Sequence, residues 1–92
     1  MAILRPFGPY VTVSVRFFAG AQSAAGVPEE TVTLAAPATL PGLVAELTDR
    51  HGEALARVLA ASSFIVDEVA STGEVPLADG TSVDVLPPFS GG

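Results

Sequence analysis

Cysteine and lysine are both missing from this 92-residue chain. Without cysteine, the protein has no disulfide bond, no thiolate ligand for a metal and no thiol nucleophile. Its cations are four arginines: Arg5, Arg16, Arg50 and Arg57. Enzyme classes that act through a cysteine are therefore excluded.

Long apolar segments are also absent. No run approaches the roughly 20 residues that a membrane-spanning helix needs. The first ten residues, MAILRPFGPY, contain one arginine and two prolines, and no small-residue cleavage site follows an apolar stretch, so they do not match a signal peptide. We expect a cytoplasmic protein without membrane association, in which residues 1–10 form a short extension.

Basic residues are few, and the formal net charge is −6. Nucleic-acid binding draws its affinity from lysine and arginine, so we expect no nucleic-acid partner. An acidic protein suits a partner with a basic face, towards which its approach is steered. With 49% hydrophobic and 15% charged residues, the chain is globular and fits one domain.

The chain ends on a distinctive segment, LPPFSGG. Pro87 and Pro88 fix φ and hold each preceding residue extended, which predicts a stiff, polyproline-like segment that leaves the domain. Phe89 adds an apolar side chain that a partner can hold. Gly91 and Gly92 have no side chain, so they can enter a narrow channel. From Pro88 the tail reaches roughly 16 Å. We therefore expect residues 87–92 to form an extended tail that delivers the terminus to another protein.

The carboxylate of Gly92 is the candidate reactive group, with Gly91 beside it. It is unhindered towards a nucleotide phosphate or a nucleophile, and its chemistry needs no catalytic side chain. A frayed terminus is the alternative interpretation, but the stiff base and Phe89 favour a functional tail. The lack of lysine would protect an activated terminus from acylating its own chain, although compositional drift towards alanine and arginine explains it more simply.

Alternation with period two predicts a half-buried strand over residues 11–18. Its apolar positions are Val11, Val13, Val15 and Phe17. Phe18 falls on the polar face, where an aromatic ring either covers the rim of the core or contacts a partner. Residues 19–28 are small and turn-rich, which predicts a loop, and residues 30–35 predict a second, antiparallel strand.

A helix is predicted after Thr39, which can cap it, with Pro41 in the first turn. Its apolar stripe comprises Leu40, Leu43, Val44 and Leu47. Gly52 is the predicted stop, and a second helical segment follows over residues 53–61. His51 lies where a cation is favourable at a helix end, and we interpret it as structural.

Residues 64–66 predict a third strand, after which Asp67 and Glu68 form a turn. Adjacent carboxylates in a turn are typical of a solvated loop rather than of acid–base catalysis or a metal site. A second turn at Asp79 and Gly80 precedes a last strand over residues 82–86, in which two valines alternate with polar residues.

The order strand, strand, helix, strand pair, strand and tail predicts an α+β fold. If the first and last strands lie side by side in the middle of the sheet, residues 11–86 form a ubiquitin-like β-grasp. We expect a mixed sheet of four to five strands packed on one main helix.

Several of these motifs resemble the MoaD/ThiS family of β-grasp sulfur carriers, most closely its molybdopterin synthase small subunits, over residues 11–92. The likeness rests on VRFFA at 15–19, EE at 29–30, the helix opening at 39–47, LADG at 77–80 and VLPPFSGG at 85–92. A Pro-Pro-x-x-Gly-Gly ending after an Asp-Gly turn is more specific than Gly-Gly alone. The chain departs from the family at Gln22, where many members have an arginine that pairs with a partner.

The resemblance implies an ATP-dependent cycle run by partners. An E1-like enzyme, using ATP and Mg, would adenylate Gly92, and a sulfur donor such as a rhodanese-type sulfurtransferase would convert the adenylate to a thiocarboxylate. The large subunit of molybdopterin synthase would contact Phe18, Pro87, Pro88 and Phe89 and pass the sulfur to a pyranopterin precursor of the molybdenum cofactor. The chain itself would be non-catalytic, with no bound cofactor or metal.

Other uses of the same terminus stay open at this point. Carriers for thiamine, cysteine or secondary metabolites have similar ends. A ubiquitin-like protein tag or interaction module would also begin with adenylation of Gly92, whereas a structural domain with an inert tail would not react at all.

Overall fold

The computed structural model describes residues 9–88, and its elements follow the hydrophobic pattern of the sequence. The strands and helices of this part of the chain, in order, are β1 (Tyr10–Phe17), α1 (Gly20–Ala25), β2 (Glu29–Ala35), β3 (Ala38–Thr39), α2 (Leu40–His51), α3 (Glu53–Ala61), β4 (Ser63–Val66), β5 (Val69–Ser71), β6 (Pro76–Leu77) and β7 (Ser82–Leu86).

Five strands form a mixed sheet in the order β2-β1-β7-β4-β5. The first and last strands, β1 and β7, are parallel neighbours in its middle, with Val15 beside Val83 and Phe17 beside Val85. The other neighbouring pairs are antiparallel. This arrangement is the ubiquitin-like β-grasp that the sequence predicts.

One core lies between this sheet and the helices. The residues expected to converge there are all buried, namely Val13, Val15, Phe17, Leu43, Leu47, Val83 and Val85. The period of two in β1 and β7 and the stripe of α2 place these side chains on facing surfaces. Leu55 and Leu59 of α3 complete the cluster.

The boundaries of α2 follow the predicted signals. The Thr39 hydroxyl accepts a hydrogen bond from the Gly42 N–H at 3.2 Å, which satisfies one donor of the first turn. At the other end, Gly52 has a φ of 84° and donates its N–H to the Thr48 carbonyl. The chain then turns directly into α3, the predicted second helical segment.

The predicted loop over residues 19–28 is wrong in its first part, because α1 occupies Gly20–Ala25. Ala21 is fully buried, and α1 packs against α3 and β1. So short a helix depends on such packing rather than on propensity. Gly26 ends it in the left-handed conformation.

The connection between β4 and β5 is a tight turn. Asp67 and Glu68 both have positive φ, 46° and 70°, as a tight hairpin turn between β4 and β5 requires. The Asp67 carboxylate accepts the Ser82 N–H at 2.9 Å, which ties this turn to β7.

The two-residue strands β3 and β6 pair with each other outside the main sheet. No helix within residues 9–88 is long and apolar enough to cross a membrane.

Candidate functional site

The strand that leads to the C-terminus is the third of the five in the sheet. β7 is hydrogen-bonded on both sides, to β1 and to β4. Pro87 and Pro88 follow it directly, and the structure places Pro87 half-buried and Pro88 exposed. The base of the tail is therefore attached to the interior of the sheet, where a strand has least freedom to move.

Phe18 lies outside the core, as its position on the polar face predicts. It is 39% exposed, and its N–H donates to the Val85 carbonyl at 3.2 Å. This bond continues the parallel pairing of β1 with β7 and brings Phe18 level with Leu86, the last residue before the prolines. The predicted partner residue and the base of the tail are thus neighbours.

Two further apolar residues, Ile65 and Leu86, lie near Phe18 on the same face of the sheet. The sequence pattern alone did not single them out. Ile65 lies beside Asp84 and Ser63 lies beside Leu86 in the antiparallel pairing of β4 with β7. Since Phe64 and Val66 face the helices, Ile65 faces the opposite side of the sheet together with Leu86. We name Phe18, Ile65 and Leu86 the tail-base patch. Alternation in β4 and β7 suggested the faces, but only the register shows that the three lie together.

An ion pair borders the tail-base patch. The Arg16 guanidinium donates to both carboxylate oxygens of Asp84, at 2.8 Å from Nε and 2.9 Å from Nη2. Its central carbon lies 5.7 Å from the centroid of the Phe18 ring, within cation–π range. The hydrogen bond to Asp84 raises the pKa of Arg16 above its ordinary value. Arg16 is therefore held as a cation beside the exposed ring.

The surface next to this pair is acidic. A cavity of about 200 Å³ is lined by Arg16, Ile65, Asp67, Glu68, Ser82 and Asp84. Its three carboxylates outnumber its one guanidinium, so a partner that covers the tail-base patch meets negative charge at this border. A partner with a basic face stays a prediction, and this acidic border is where we expect it to meet the chain.

Other polar groups hold the fold together. His51 contacts the Glu30 carboxylate through Nε2, and its ring lies edge-on to Phe17 with centroids 6.1 Å apart. Arg50 pairs with the same Glu30 at 3.2 Å and with Glu46 at 2.9 Å. These contacts join the end of α2 to the start of β2, which agrees with a structural role for His51.

A larger, apolar cavity of about 540 Å³ lies on the helix side of the sheet. It is lined by Leu40, Pro41, Val44, Leu59, Ser62, Ser63, Phe64, Ala70, Ser71, Thr72 and Gly73. No titratable side chain is among these residues, so the cavity offers no acid–base chemistry.

Gln22 and three residues of the tail were also singled out in the sequence. Gln22, on α1, is exposed and uncharged, so it does not replace the arginine that many family members have there. Phe89, Gly91 and Gly92 lie outside the described residues, and their roles remain predictions.

Three comparisons place the chain among known proteins. The model of the ThiS family matches residues 15–92. Among solved structures, a putative molybdopterin converting factor, subunit 1, from Pyrococcus furiosus is 30% identical with a TM-score of 0.78, over 86% of this chain and 99% of that one. A search of curated proteins finds no match.

Two further structures share the fold. A chain of the protein–protein complex of subunits 1 and 2 of molybdopterin-converting factor from Helicobacter pylori 26695 is 29% identical with a TM-score of 0.62, over 89% of this chain and 100% of that one. The small archaeal modifier protein 1 from Methanosarcina acetivorans is 24% identical with a TM-score of 0.76, over 92% of this chain and 100% of that one. At that identity the second likeness concerns the fold alone.

Proposed function

We propose that this chain, which belongs to the ThiS family of ubiquitin-like sulfur carriers, carries sulfur on Gly92 for the synthesis of molybdopterin. The observation that carries the proposal is the position of the tail. It leaves the central strand β7 through two prolines, directly beside the exposed Phe18 and the half-buried Leu86. The 30% identity with the putative molybdopterin converting factor subunit from Pyrococcus furiosus supports the molybdopterin assignment.

The chemistry takes place at the terminal carboxylate. A carboxylate is a poor electrophile, so its oxygen must first become part of a good leaving group. The Gly92 carboxylate attacks the α-phosphorus of ATP, pyrophosphate leaves, and an acyl adenylate forms. A persulfide on the sulfur donor then attacks the carbonyl carbon and expels AMP, which gives an acyl disulfide. A thiol reductant cleaves the S–S bond of this intermediate, so that the terminus is left as a thiocarboxylate and the donor sulfur as a disulfide with the reductant. An E1-like enzyme with Mg and a sulfur donor such as a rhodanese-type protein supply these reactants.

The chain contributes presentation rather than catalysis. Anchoring on β7 fixes where the tail begins, and the prolines restrict its direction. The tail-base patch provides apolar surface for the partner that receives the tail, and the acidic border favours a basic rim on that partner. The Helicobacter pylori complex of subunits 1 and 2 supports a large synthase subunit as the final partner.

Reconstitution tests the carrier function. The purified chain is incubated with an E1-like enzyme, ATP and a sulfur donor, and its intact mass is measured. A carrier gains the mass difference between one sulfur and one oxygen, and only when ATP is present. A protein tag instead gains the mass of a whole target protein, and an inert domain does not change.

A second assay tests the pathway. The thiocarboxylated chain is mixed with a large molybdopterin synthase subunit and the pyranopterin precursor. The proposal expects return of the terminus to carboxylate together with a dithiolene product. If the thiocarboxylate forms but this subunit does not consume it, the chain is a carrier for a different acceptor.

A further inference from the structure

The outer edge of β2 has the features of an unguarded sheet edge. Within the described residues, β2 pairs with β1 alone and is an edge strand of the sheet. All seven of its residues pair in continuous register with β1, without a bulge. Proteins usually protect such an edge with lysine, proline, a bulge or a short strand. β5, at the opposite edge, has only three residues, whereas β2 is long and unbroken, and its charged residues, Glu29 and Glu30, both lie at its first end.

The hydrogen-bond pattern identifies the groups that face outward. Phe17 donates to the Pro28 carbonyl, and Ala36 donates to the Pro9 carbonyl. In an antiparallel pair, the backbone N–H and C=O groups of successive residues point alternately towards the partner strand and away from it. The backbone groups of the even-numbered residues 28–36 therefore point towards β1. The backbone N–H and C=O groups that point away from the sheet belong to Glu29, Thr31, Thr33 and Ala35.

We infer that a second copy of this chain pairs with β2 in an antiparallel arrangement, joining two sheets into one. The strand runs from Glu29 to Ala35, and its centre is Val32. A twofold axis at Val32 pairs Glu29 with Ala35 of the other copy, and Thr31 with Thr33. Every outward-facing backbone group then has a hydrogen-bonding partner in the other copy.

Side chains agree with this register. Glu29 meets alanine rather than another glutamate, so no like charges lie opposite each other, and threonine pairs are favourable across strands. On the helix side, Glu30 comes opposite Leu34, but its carboxylate already interacts with Arg50 and His51. The strand is thus self-complementary in both hydrogen bonding and charge.

The arrangement leaves the proposed carrier function intact. β1 and β7 are parallel, and β2 runs opposite to both, so the β7 strands of the two copies are antiparallel. The two tail-base patches then lie in different halves of a ten-stranded sheet, at opposite ends of its strands. Because one strand pair buries little surface and each copy carries a net charge of −6, the association is weak and strengthens as salt screens the repulsion.

Sedimentation equilibrium of the full chain tests the inference, from about 10 μM to about 1 mM, the range of weak complexes. Thr33→Pro removes an outward N–H that β1 does not use, and an edge strand tolerates proline at such a position. Thr33→Ala keeps the N–H and is the matched control. The wild type and Thr33→Ala should approach twice the monomer mass, while the dissociation constant of Thr33→Pro rises by at least about tenfold.

Amide hydrogen exchange of the wild type gives a reading that depends on no variant. Raising the concentration should slow exchange at Thr31 and Thr33 and leave Ala70, whose N–H points away from β4 at the other edge of the sheet, unchanged. A wild type that stays monomeric throughout, equal association of the Thr33→Pro variant, or protection confined to β5 would each overturn the inference. Loss of association in Phe18→Ala with retention in Thr33→Pro would likewise assign self-association to the tail-base patch instead.

Discussion

The N–H of Phe18 donates to the carbonyl of Val85 at 3.2 Å, and this bond joins an exposed aromatic ring to the strand that carries the C-terminal tail. It closes the last pair of the parallel ladder between β1 and β7, Phe17 with Val85. The exposed ring and the last residue before the two prolines therefore lie beside each other. We expect a partner that holds the tail to contact both.

Replacing Phe18 with alanine should weaken binding to the large subunit or to the E1-like enzyme by about 1–3 kcal/mol, the range of an aromatic interface anchor. The melting midpoint should change little, because the ring is 39% exposed. Isothermal titration calorimetry and thermal unfolding measure the two effects. Val69→Ala, at a 63% exposed residue on β5, is the control and should leave binding unchanged. A large stability loss with normal binding would place Phe18 in the core instead.

Arg16 should keep its charge throughout the neutral range. Asp84 raises the pKa of Arg16, so the stabilisation is complete below the ordinary pKa of arginine and is lost only as pH rises through the higher folded value. Between about pH 6 and pH 9, the Arg16 Nε–H should therefore give a protected NMR signal.

Asp84→Asn should remove that protection, since the charged acceptor is lost. Arg57 is the internal control. Its contact with Glu53 is 3.6 Å and both side chains are 79% exposed, so its Nε–H should exchange rapidly in either protein. Equal protection of Arg16 in Asp84→Asn would show that the pair does not hold the guanidinium.

Leu47→Ala should cost roughly 2–5 kcal/mol of unfolding free energy, because it removes methyl and methylene groups from a filled core. Leu47 is fully buried between α2 and the sheet. Val44→Ala, at a half-buried position one turn earlier, should cost clearly less. Urea unfolding measures both, and equal losses would contradict the assigned packing of α2.

The cap of α2 provides a smaller, separate test. Thr39→Ala removes the hydroxyl that accepts the Gly42 N–H and should cost about 1 kcal/mol. Thr39→Ser keeps the oxygen and should retain most of that stability in the same urea experiment. If serine and alanine were equally destabilising, the effect would lie in the lost methyl group rather than in the cap.

Much of the fold follows from local patterns. Alternating valines specify β1 and β7, and Thr39, Pro41 and Gly52 mark the ends of α2, because each signal comes from the geometry of a single element. α1 was not predicted, since its stability depends on burial of Ala21 against α3. The pairing of β3 with β6 was also missed, because two-residue strands contain no measurable period.

The candidate site divides in the same way. The exposure of Phe18 follows from alternation in β1 alone. The contribution of Ile65 and Leu86 depends on how β4, β7 and β1 are aligned, which is a property of the assembled sheet. Sequence therefore predicted the exposure of Phe18, and the register placed Ile65 and Leu86 on the same face of the sheet.

The central claim is that the carboxylate of Gly92 is where the chemistry occurs. Its most direct test is the intact mass of the wild type and of a variant lacking Gly92 after incubation with an E1-like enzyme, ATP and a sulfur donor. We predict that the wild type gains the mass difference between sulfur and oxygen and that the variant gains nothing. The stability of the variant should stay within about 0.5 kcal/mol, because glycine has no side chain to pack. Sulfur gain by the shortened chain, at wild-type yield, would contradict the account.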